Sequence, residues 1–343
     1  MHALESRLEE IFLRPNPPEP QLYASLILRT TEVMLSEPDG LRPADRRGLP
    51  GGLVLLRTDL PTIIVPDLHA RMDFLLGVLR WPLAGGARVL ERLASGELQL
   101  LCLGDGLHAE GRAIRRWKAA YREFLGGYQE HGAMDEEMRE SLGLMEMVME
   151  LKCAWPALFH FLKGNHENIA NEEGEGNHPF IKFVLEGFMV ASYVEQFYGT
   201  EFLASFARFE KALPLLAVGP GFLASHAEPA EFFPRDQIVN YREFAEAVYG
   251  LTWTENDEAE PGSVRRMLEH YLGGEAAAEA FYFGGHRPVR ERYRLRADGR
   301  YVQIHDPERW SVALLPAEGS IDLQRDIVEL SGAQSPAVPE ADP

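Results

Sequence analysis

The sequence predicts an α/β fold in which a sheet is covered by helices. Short apolar runs of strand length recur through the middle of the chain, and helical patterns separate the earlier runs from one another. Of the 343 residues, 45% are hydrophobic and 25% are charged, which provides enough apolar material for a sizeable core. Strands that alternate with helices are typical of α/β domains.

Residues 1–52 are predicted to form an N-terminal helical extension and connector. Residues 2 to about 36 read as two helices separated by a proline-rich turn at 15–18, and residues 37–52 are rich in proline, glycine and charge. The main domain is expected at 53–325. The composition of residues 326–343 is typical of a disordered tail.

The predicted strands follow in order along the main domain. They are the runs at 62–65, 98–103, 158–162, 213–218, 222–224, 281–283, 301–304 and 312–315. Helices are predicted at 72–80 and from 112 to about 149, so that 109–155 is expected to be a helical insertion. Two interpretations of this insertion stay open: a helical hairpin with its own apolar stripe, or a cap whose basic start faces a phosphate.

The charge balance excludes some classes of function. With 34 Lys and Arg against 53 Asp and Glu, the formal charge is −19. A general nucleic-acid binder needs a basic face, and an anionic membrane surface repels such a chain. We therefore expect neither nucleic acid nor membrane as a partner, and an acidic protein that acts on phosphates would need metal ions.

The remaining composition indicates a cytoplasmic protein. Two cysteines, Cys102 and Cys153, cannot form a disulfide framework. The first twelve residues are acidic and do not resemble a signal peptide, and no window approaches the ~18 apolar residues of a membrane span.

Polar side chains follow five of the apolar runs at the point where each strand is expected to end. In order, these side chains are Asp67 and His69, Asp105, Asn165 with His166 and Glu167, His226, and His286. Carboxylate, amide oxygen and imidazole are ligands for a hard-to-borderline metal. Residues i and i+2 of an extended segment share a side, so Asp67 and His69 can bind one ion, and Asp105 could bridge to a second. Two such ions would clamp a phosphate.

In this order the motifs resemble those of the calcineurin-like metallophosphoesterase superfamily. The motifs are Asp67-x-His69, Gly104-Asp105, Gly164-Asn165-His166-Glu167, His226 and Gly285-His286, and the resemblance covers about residues 60–316. The chain looks most like the phosphoprotein phosphatase branch, which includes the diadenosine tetraphosphatases. The resemblance implies a two-sheet β-sandwich core flanked by helices in four αββα layers, with a helical insertion.

The resemblance also implies a role for each matching residue. Asp67 and His69 would bind the first metal, Asp105 would bridge, and the second metal would be bound by Asn165, His226 and His286. His166 would be the general acid that protonates the leaving oxygen, so that His166 and Asp105 form the catalytic pair. The ligand types suit Mn²⁺, Fe or Zn²⁺ without choosing among them.

The sequence departs from the family after Gly104-Asp105. The family has Asp and Arg where this chain has His108 and Ala109. The lost Asp orients the general acid, a task that Glu110 or Glu167 could take over. The lost Arg holds phosphate, and the candidates to replace it are His108, Arg112, Lys163 and Arg287. His108 has two interpretations, an added ligand or orienting base, or merely a polar residue at a strand end.

Two other histidines have plainer interpretations. His160 lies inside an apolar run and is expected to be a core residue, whereas His305 is expected to belong to a turn before Pro307.

We therefore expect a metal-dependent phosphoric ester hydrolase that cleaves a phosphomonoester or phosphoanhydride of a phosphorylated substrate, with an enzyme similar to the Ser/Thr phosphoprotein phosphatases as one form of this expectation. Two alternatives stay open: a nucleotide or dinucleotide polyphosphate hydrolase, and a weakly catalytic metal-binding protein that recognises phosphate. The oligomeric state is not predicted by the sequence.

Overall fold

The computed structural model describes residues 2–330, and these form helices and strands in alternation. The helices are α1 (His2–Leu13), α2 (Pro20–Leu35), α3 (Met72–Arg80), α4 (Val89–Ser95), α5 (Ile114–Leu125), α6 (Gly132–Ala154), α7 (Glu186–Phe197), α8 (Thr200–Glu210), α9 (Arg235–Val239), α10 (Ala245–Thr252), α11 (Ser263–Leu272), α12 (Gly274–Ala277) and α13 (Leu323–Asp326). The strands are β1 (Leu53–Leu55), β2 (Thr62–Val65), β3 (Gln99–Cys102), β4 (Phe159–Phe161), β5 (Leu216–Gly219), β6 (Phe222–Ala224), β7 (Phe281–Gly284), β8 (Arg294–Arg296), β9 (Tyr301–Gln303), β10 (Ser311–Leu315) and β11 (Ile327–Glu329).

The strands form two mixed sheets. One sheet has the order β1-β5-β6-β7-β9-β8, and the other has the order β11-β10-β2-β3-β4. In the second sheet β2, β3 and β4 run parallel, and in the first sheet β6, β7 and β9 run parallel. The carboxyl ends of parallel neighbours lie at one edge of a sheet, which is where ligand groups collect.

Alternation of side chains along the strands explains the layers. On β2, Ile63 packs with the helices α1 to α8, whereas the next residue, Ile64, packs against the other sheet. In the first sheet, Leu223 of β6 packs with helices α9 to α12, and Phe222 packs into the core between the sheets. The result is the α/β arrangement of two packed sheets flanked by helices, which confirms the predicted fold class.

The N-terminal helices pack into the layer that covers the second sheet. Tyr23 of α2 is buried, and its hydroxyl donates to Leu142 O of α6 at 2.9 Å. Arg7 and Arg14 both bind the nearly buried carboxylate of Glu146 on α6, at 2.7 and 2.6 Å. The predicted N-terminal extension is therefore continuous with the main core.

The region predicted as an insertion contains two helices instead of one long one. Helix α5 ends before Gly126 and Gly127, and Gly127 adopts a left-handed backbone with φ 66°. The basic start of the region faces α6: Arg112 pairs with Glu140 at 2.8 Å and Arg116 with Glu137 at 2.5 Å. These ion pairs neutralise the basic charge within the hairpin and favour the helical-hairpin interpretation.

Some boundaries differ from those predicted. The three-residue strands β8 and β11 lack an apolar run long enough to mark them, whereas β1 lies in the apolar run at 53–56 and is missing from the predicted strands. Because Ile327–Glu329 pair with β10, the boundary predicted at residue 326 is corrected, and 331–343 lie outside the described residues. Within residues 2–330, no helix combines the length and the apolar character that crossing a membrane requires.

Candidate metal and phosphate site

The polar residues that follow the strands converge between the two sheets. Asp67 follows β2, Asp105 follows β3 and Asn165 follows β4, all in the second sheet. His226 follows β6 and His286 follows β7 in the first sheet. The packing of one sheet on the other therefore brings the two sets of strand ends together.

The backbone at the site is unusual. Five of the eleven non-glycine residues with positive φ in the described chain are His69, Ala70, Asp105, His108 and His286. Such conformations cost free energy and cluster where side chains must be aimed for function. Two glycines allow close approach: a Cβ at Gly164 would overlap Asp105 Oδ1, and one at Gly285 would overlap Asp67 Oδ1.

Asp105 lies at the centre of the site. Its Oδ2 is 3.4 Å from His226 Nε2, 3.6 Å from His69 Nε2 and 3.8 Å from His166 Nε2. Its other oxygen, Oδ1, accepts a hydrogen bond from the backbone N–H of His166 at 3.0 Å. One carboxylate oxygen thus faces imidazoles on both sides while the second oxygen fixes its orientation.

Asn165, His226 and His286 form a compact group on one side of Asp105. Asn165 Oδ1 lies 2.9 Å from His226 Nε2 and 3.1 Å from His286 Nδ1. His226 Nδ1 lies 3.1 Å from Leu103 O, so this nitrogen carries the proton and Nε2 presents its lone pair to Asn165. Two acceptors that face each other at this distance are favourable when a cation lies between them.

On the other side of Asp105 lie Asp67, His69, Glu110 and His305. His69 Nδ1 donates to His108 O at 3.1 Å, which leaves Nε2 facing Asp105 and, at 3.6 Å, Glu110 Oε1. Glu110 Oε2 accepts from His305 Nε2 at 3.1 Å. Asp67 Oδ2 accepts from the His286 backbone N–H at 2.8 Å, which ties the two sheets together at the site.

His166 and His108 form a hydrogen-bonded pair. Their Nδ1 atoms are 3.0 Å apart, and both rings lie against Phe180, with centroids 3.8 Å away for His166 and 5.1 Å away for His108. His108 thus contacts the imidazole of His166, at the position where the resembled family has an Asp. Neither Glu110 nor Glu167, the two substitutes considered from the sequence, has a hydrogen bond to His166 among the described residues.

Glu167 and Lys163 stabilise the backbone of the loops that carry the site. The Glu167 carboxylate accepts from the backbone N–H groups of Asp105, Gly106 and Gly164, at 2.9, 2.8 and 2.7 Å. The buried Lys163 ammonium donates to Glu167 O. Lys163 is therefore directed into the protein, and the structure does not bring it together with the groups that would meet a phosphate.

Three other cations near the site already have carboxylate partners. Arg112 pairs with Glu140 and also donates to Ala70 O at 3.2 Å. Arg287 pairs with Glu255, and its side chain is 35% exposed. Lys182, which sequence reasoning missed, pairs with Glu110 at 2.9 Å and is 36% exposed, so it borders the site from the solvent side.

The donor atoms fit metal ions. Three groups have all of their ligand atoms within 4.8 Å of one another: Asp67, His69 and His305; His69, Asp105 and His166; and Asp67, Asp105 and His226. Two ligands on one ion, each ~2.1 Å from it, can be at most about 4.2 Å apart. The separations of 3.4 to 3.8 Å around Asp105 Oδ2 satisfy this limit. Asp67 Oδ1 and His305 Nδ1 are buried and have no hydrogen-bond partner among residues 2–330.

Burial sets the protonation of these groups. It lowers the pKa of His69 to about 3 and that of His286 to about 4, and it lowers the pKa of His226 well below the usual value. These imidazoles are therefore neutral at pH 7, which is the form that binds metal. Burial, together with neighbouring carboxylates, raises the pKa of Asp105 well above its ordinary value, as expected when acidic groups face one another without a cation.

Comparison with known proteins supports the fold through solved structures and finds no match among protein-family models or curated sequences. No protein-family model matches the chain, and no curated protein has a similar sequence. A protein serine/threonine phosphatase from Saccharomyces cerevisiae aligns with TM-score 0.50 and 14% identity over 84% of this chain and 77% of its own. A cold-active protein tyrosine phosphatase aligns with TM-score 0.47 and 14% identity over 84% of this chain and 81% of its own.

A likeness at this identity is evidence for the fold alone. The chain thus has an α/β, phosphatase-like fold with buried His and Asp groups that could hold metal ions.

Proposed function

We propose that the chain is a metal-dependent phosphoesterase of the calcineurin-like type, which hydrolyses a phosphomonoester or phosphoanhydride at a dinuclear metal centre. The observation that carries the proposal is the position of Asp105. Its Oδ2 faces His69 and His166 on one side and His226 on the other, and Asp105 belongs to two of the three groups that could hold an ion. A carboxylate shared in this way suits a bridging ligand.

The ligands divide around Asp105. Asp67 and His69 would hold one ion, and Asn165, His226 and His286 would hold the other. Backbone carbonyls orient two of the imidazoles, since His69 Nδ1 donates to His108 O and His226 Nδ1 donates to Leu103 O. Bound ions would supply charge neutralisation for the phosphate oxygens and activation of water.

His166 would donate the proton to the leaving oxygen. Its Nδ1 is held by His108, and Phe180 packs against both rings, so that Nε2 is aimed toward Asp105 and the phosphate position between the ligands. His108 would act as a positioning residue in the place where the family has Asp. Imidazole replaces carboxylate, so the pair lacks the negative charge that would stabilise a protonated His166.

Phosphate contact would come from cations at the solvent side. Lys182 and Arg287 are partly exposed and are paired with Glu110 and Glu255, which an arriving phosphate could replace as the partner. Arg112 is likewise partly exposed and paired with Glu140, whereas the buried Lys163 donates to Glu167 O and is less suited to this task.

The first experiment is hydrolysis of p-nitrophenyl phosphate with added Mn²⁺, comparing the wild type with Asp105→Asn. We expect metal-dependent turnover that falls by at least ~10³-fold in the variant, because losing the shared charge weakens both ion sites. Asp45→Asn is the matched control. It removes a buried carboxylate that pairs with Arg242, away from the site, and leaves turnover intact.

Other results would overturn the proposal in distinct ways. Equal turnover in the wild type and Asp105→Asn would exclude the shared-carboxylate centre. A folded wild type that binds Mn²⁺ without any turnover would instead favour a protein that recognises phosphate without cleaving it.

A further inference from the structure

His305 lies inside the candidate site, although the sequence marks it only as a turn residue before Pro307. It follows β9 in the first sheet and is fully buried. Its ring centroid is 5.4 Å from that of His69. The backbone O of His305 accepts from the N–H of Val289 at 2.8 Å, which ties the turn after β9 to the segment that follows His286.

The two ring nitrogens of His305 have different surroundings. Nε2 lies 3.1 Å from Glu110 Oε2. A carboxylate accepts hydrogen bonds, so Nε2 carries the proton and Nδ1 presents a lone pair. Nδ1 is buried, has no hydrogen-bond partner among residues 2–330, and lies 3.9 Å from Asp67 Oδ2.

We propose that His305 Nδ1 is a further ligand of the metal held by Asp67 and His69, and that Glu110 positions its imidazole. Asp67 Oδ2 lies 3.9 Å from His305 Nδ1 and 4.0 Å from His69 Nε2, both within the ~4.2 Å limit for two ligands of one ion, and the three residues form one of the groups that could hold a metal. This inference rests on the metal centre of the proposed function and adds a ligand to it.

The contacts of Glu110 explain why it positions His305. Oε2 is engaged by His305, and Oε1 lies 2.9 Å from Lys182 Nζ. Metal-binding histidines usually donate their second N–H to a carboxylate or carbonyl, which fixes the tautomer and the ring orientation. The unmatched Nδ1 of His305 differs from other buried ring nitrogens of the described chain in its position, since it faces Asp67 Oδ2 at 3.9 Å.

The test is a Co²⁺ titration of the metal-free protein, followed by calorimetry and by the visible absorption of the bound ion. The wild type should bind two Co²⁺. His305→Phe should weaken one site by about 100-fold and leave the other unchanged. Glu110→Ala should weaken the same site by about 10-fold or more, as the loss of a positioning carboxylate does elsewhere.

His160→Phe is the matched control, since His160 is a buried histidine away from the site that belongs to none of the three groups. Its Nε2 lies 3.3 Å from Ala157 O, so the substitution leaves the proposed ligands untouched and metal binding should stay as in the wild type. Circular dichroism of each metal-free variant checks that it is folded. Because Glu110→Ala leaves the core unchanged, it tests the inference even where His305→Phe fails to fold.

The outcomes separate the two proposals. Two undiminished Co²⁺ sites in folded His305→Phe, or in Glu110→Ala, would overturn the added ligand or its positioning while the dinuclear centre stands. A wild type that binds no Co²⁺ would overturn the metal centre itself. Loss of the same single site in both variants, with the His160→Phe control unaffected, supports the inference.

Discussion

The two sides of Asp105 differ in how the chain builds them. On the side of Asn165, His226 and His286, the ligand atoms lie 2.9 to 3.2 Å apart, and each residue lies within four residues of the end of a strand. On the other side, His69 Nε2 lies 3.6 to 4.0 Å from the carboxylate oxygens of Asp67, Asp105 and Glu110, and Glu110 joins from the loop that follows β3. His108 and His166 extend this second side toward Phe180.

The difference shows which parts of such a site a motif can mark. A residue that directly follows a strand is placed by the sheet, so its spacing in the sequence is informative. A residue in a loop is placed by contacts between segments, as Glu110 is placed by His305 and Lys182, which lie 195 and 72 residues away along the chain. The departures from the resembled family at His108 and Ala109 lie on the His69 side.

The largest effect that separates the two sides is expected at His166. His166→Gln should lower turnover of p-nitrophenyl phosphate by about 10²-fold or more, the usual contribution of a positioned proton donor. Co²⁺ binding on the Asn165 side should not change, because Asn165, His226 and His286 keep their mutual contacts. Steady-state kinetics and Co²⁺ absorption measure the two quantities.

His178→Gln is the control for this variant. His178 lies in the same loop region, but its side chain is 44% exposed and pairs with Glu173, so kcat should stay near the wild-type value. Full turnover in His166→Gln would show that His108 and His166 take no part in the chemistry. The proposed difference between the two sides of Asp105 would then be wrong.

The fold could be predicted well where apolar runs are long. β2 and α3 have the predicted bounds, because each has an uninterrupted pattern with a clear end. β8 could not be predicted, since Arg294 and Arg296 flank one leucine and the strand depends on its partner β9. The helical-hairpin interpretation of 109–155 requires a break between two helices, and Gly126 and Gly127 mark where α5 ends.

For the candidate site, too, the sequence predicted the residues that follow strands better than those that reach the site from loops. The structure brings together all six residues proposed as metal ligands, since each follows a strand. His305 follows a strand too, so the positional signal was present, but the resembled branch has no ligand there. Nothing in the local sequence marks Phe180 or Lys182, which reach the site from the loop before α7.

A smaller effect is expected when the family's carboxylate is restored at His108. His108→Asp should raise turnover of an alkyl phosphate, whose leaving oxygen needs a proton, on the order of tenfold. A carboxylate beside His166 stabilises its protonated form, and Asp tolerates the left-handed backbone at this position. The ratio of kcat for alkyl phosphate to kcat for p-nitrophenyl phosphate is the measurement.

His108→Asn supplies a side chain of the same size without the charge. It should not raise the ratio, because an amide adds no negative charge beside His166. An equal rise in Asn and Asp would show that space at position 108, and not charge, limits the proton donor.

The smallest effect is expected at His160, a buried histidine away from the site. Its Nε2 lies 3.3 Å from Ala157 O, and burial together with the positive charge of Lys152 lowers its pKa well below the usual value. The unfolded chain, with a histidine pKa of ~6.5, binds a proton that the folded chain does not. The free energy of unfolding should therefore fall as pH decreases, by about 1.4 kcal/mol for this group between pH 7.5 and 5.5.

In His160→Phe there is no imidazole at this position to bind a proton in the unfolded chain. Between pH 7.5 and 5.5, the free energy of unfolding of the variant should therefore fall by about 1.4 kcal/mol less than that of the wild type. Urea denaturation of both proteins in a chelator, at the two pH values, measures the difference. The site histidines are common to both proteins, so their contribution cancels. Parallel pH dependence in the two proteins would mean that His160 is protonated in the folded state. Burial alone would then not keep a histidine neutral in this protein, and burial would no longer explain the neutral imidazoles at Asp105, since the contact of His226 with the Leu103 carbonyl raises its pKa.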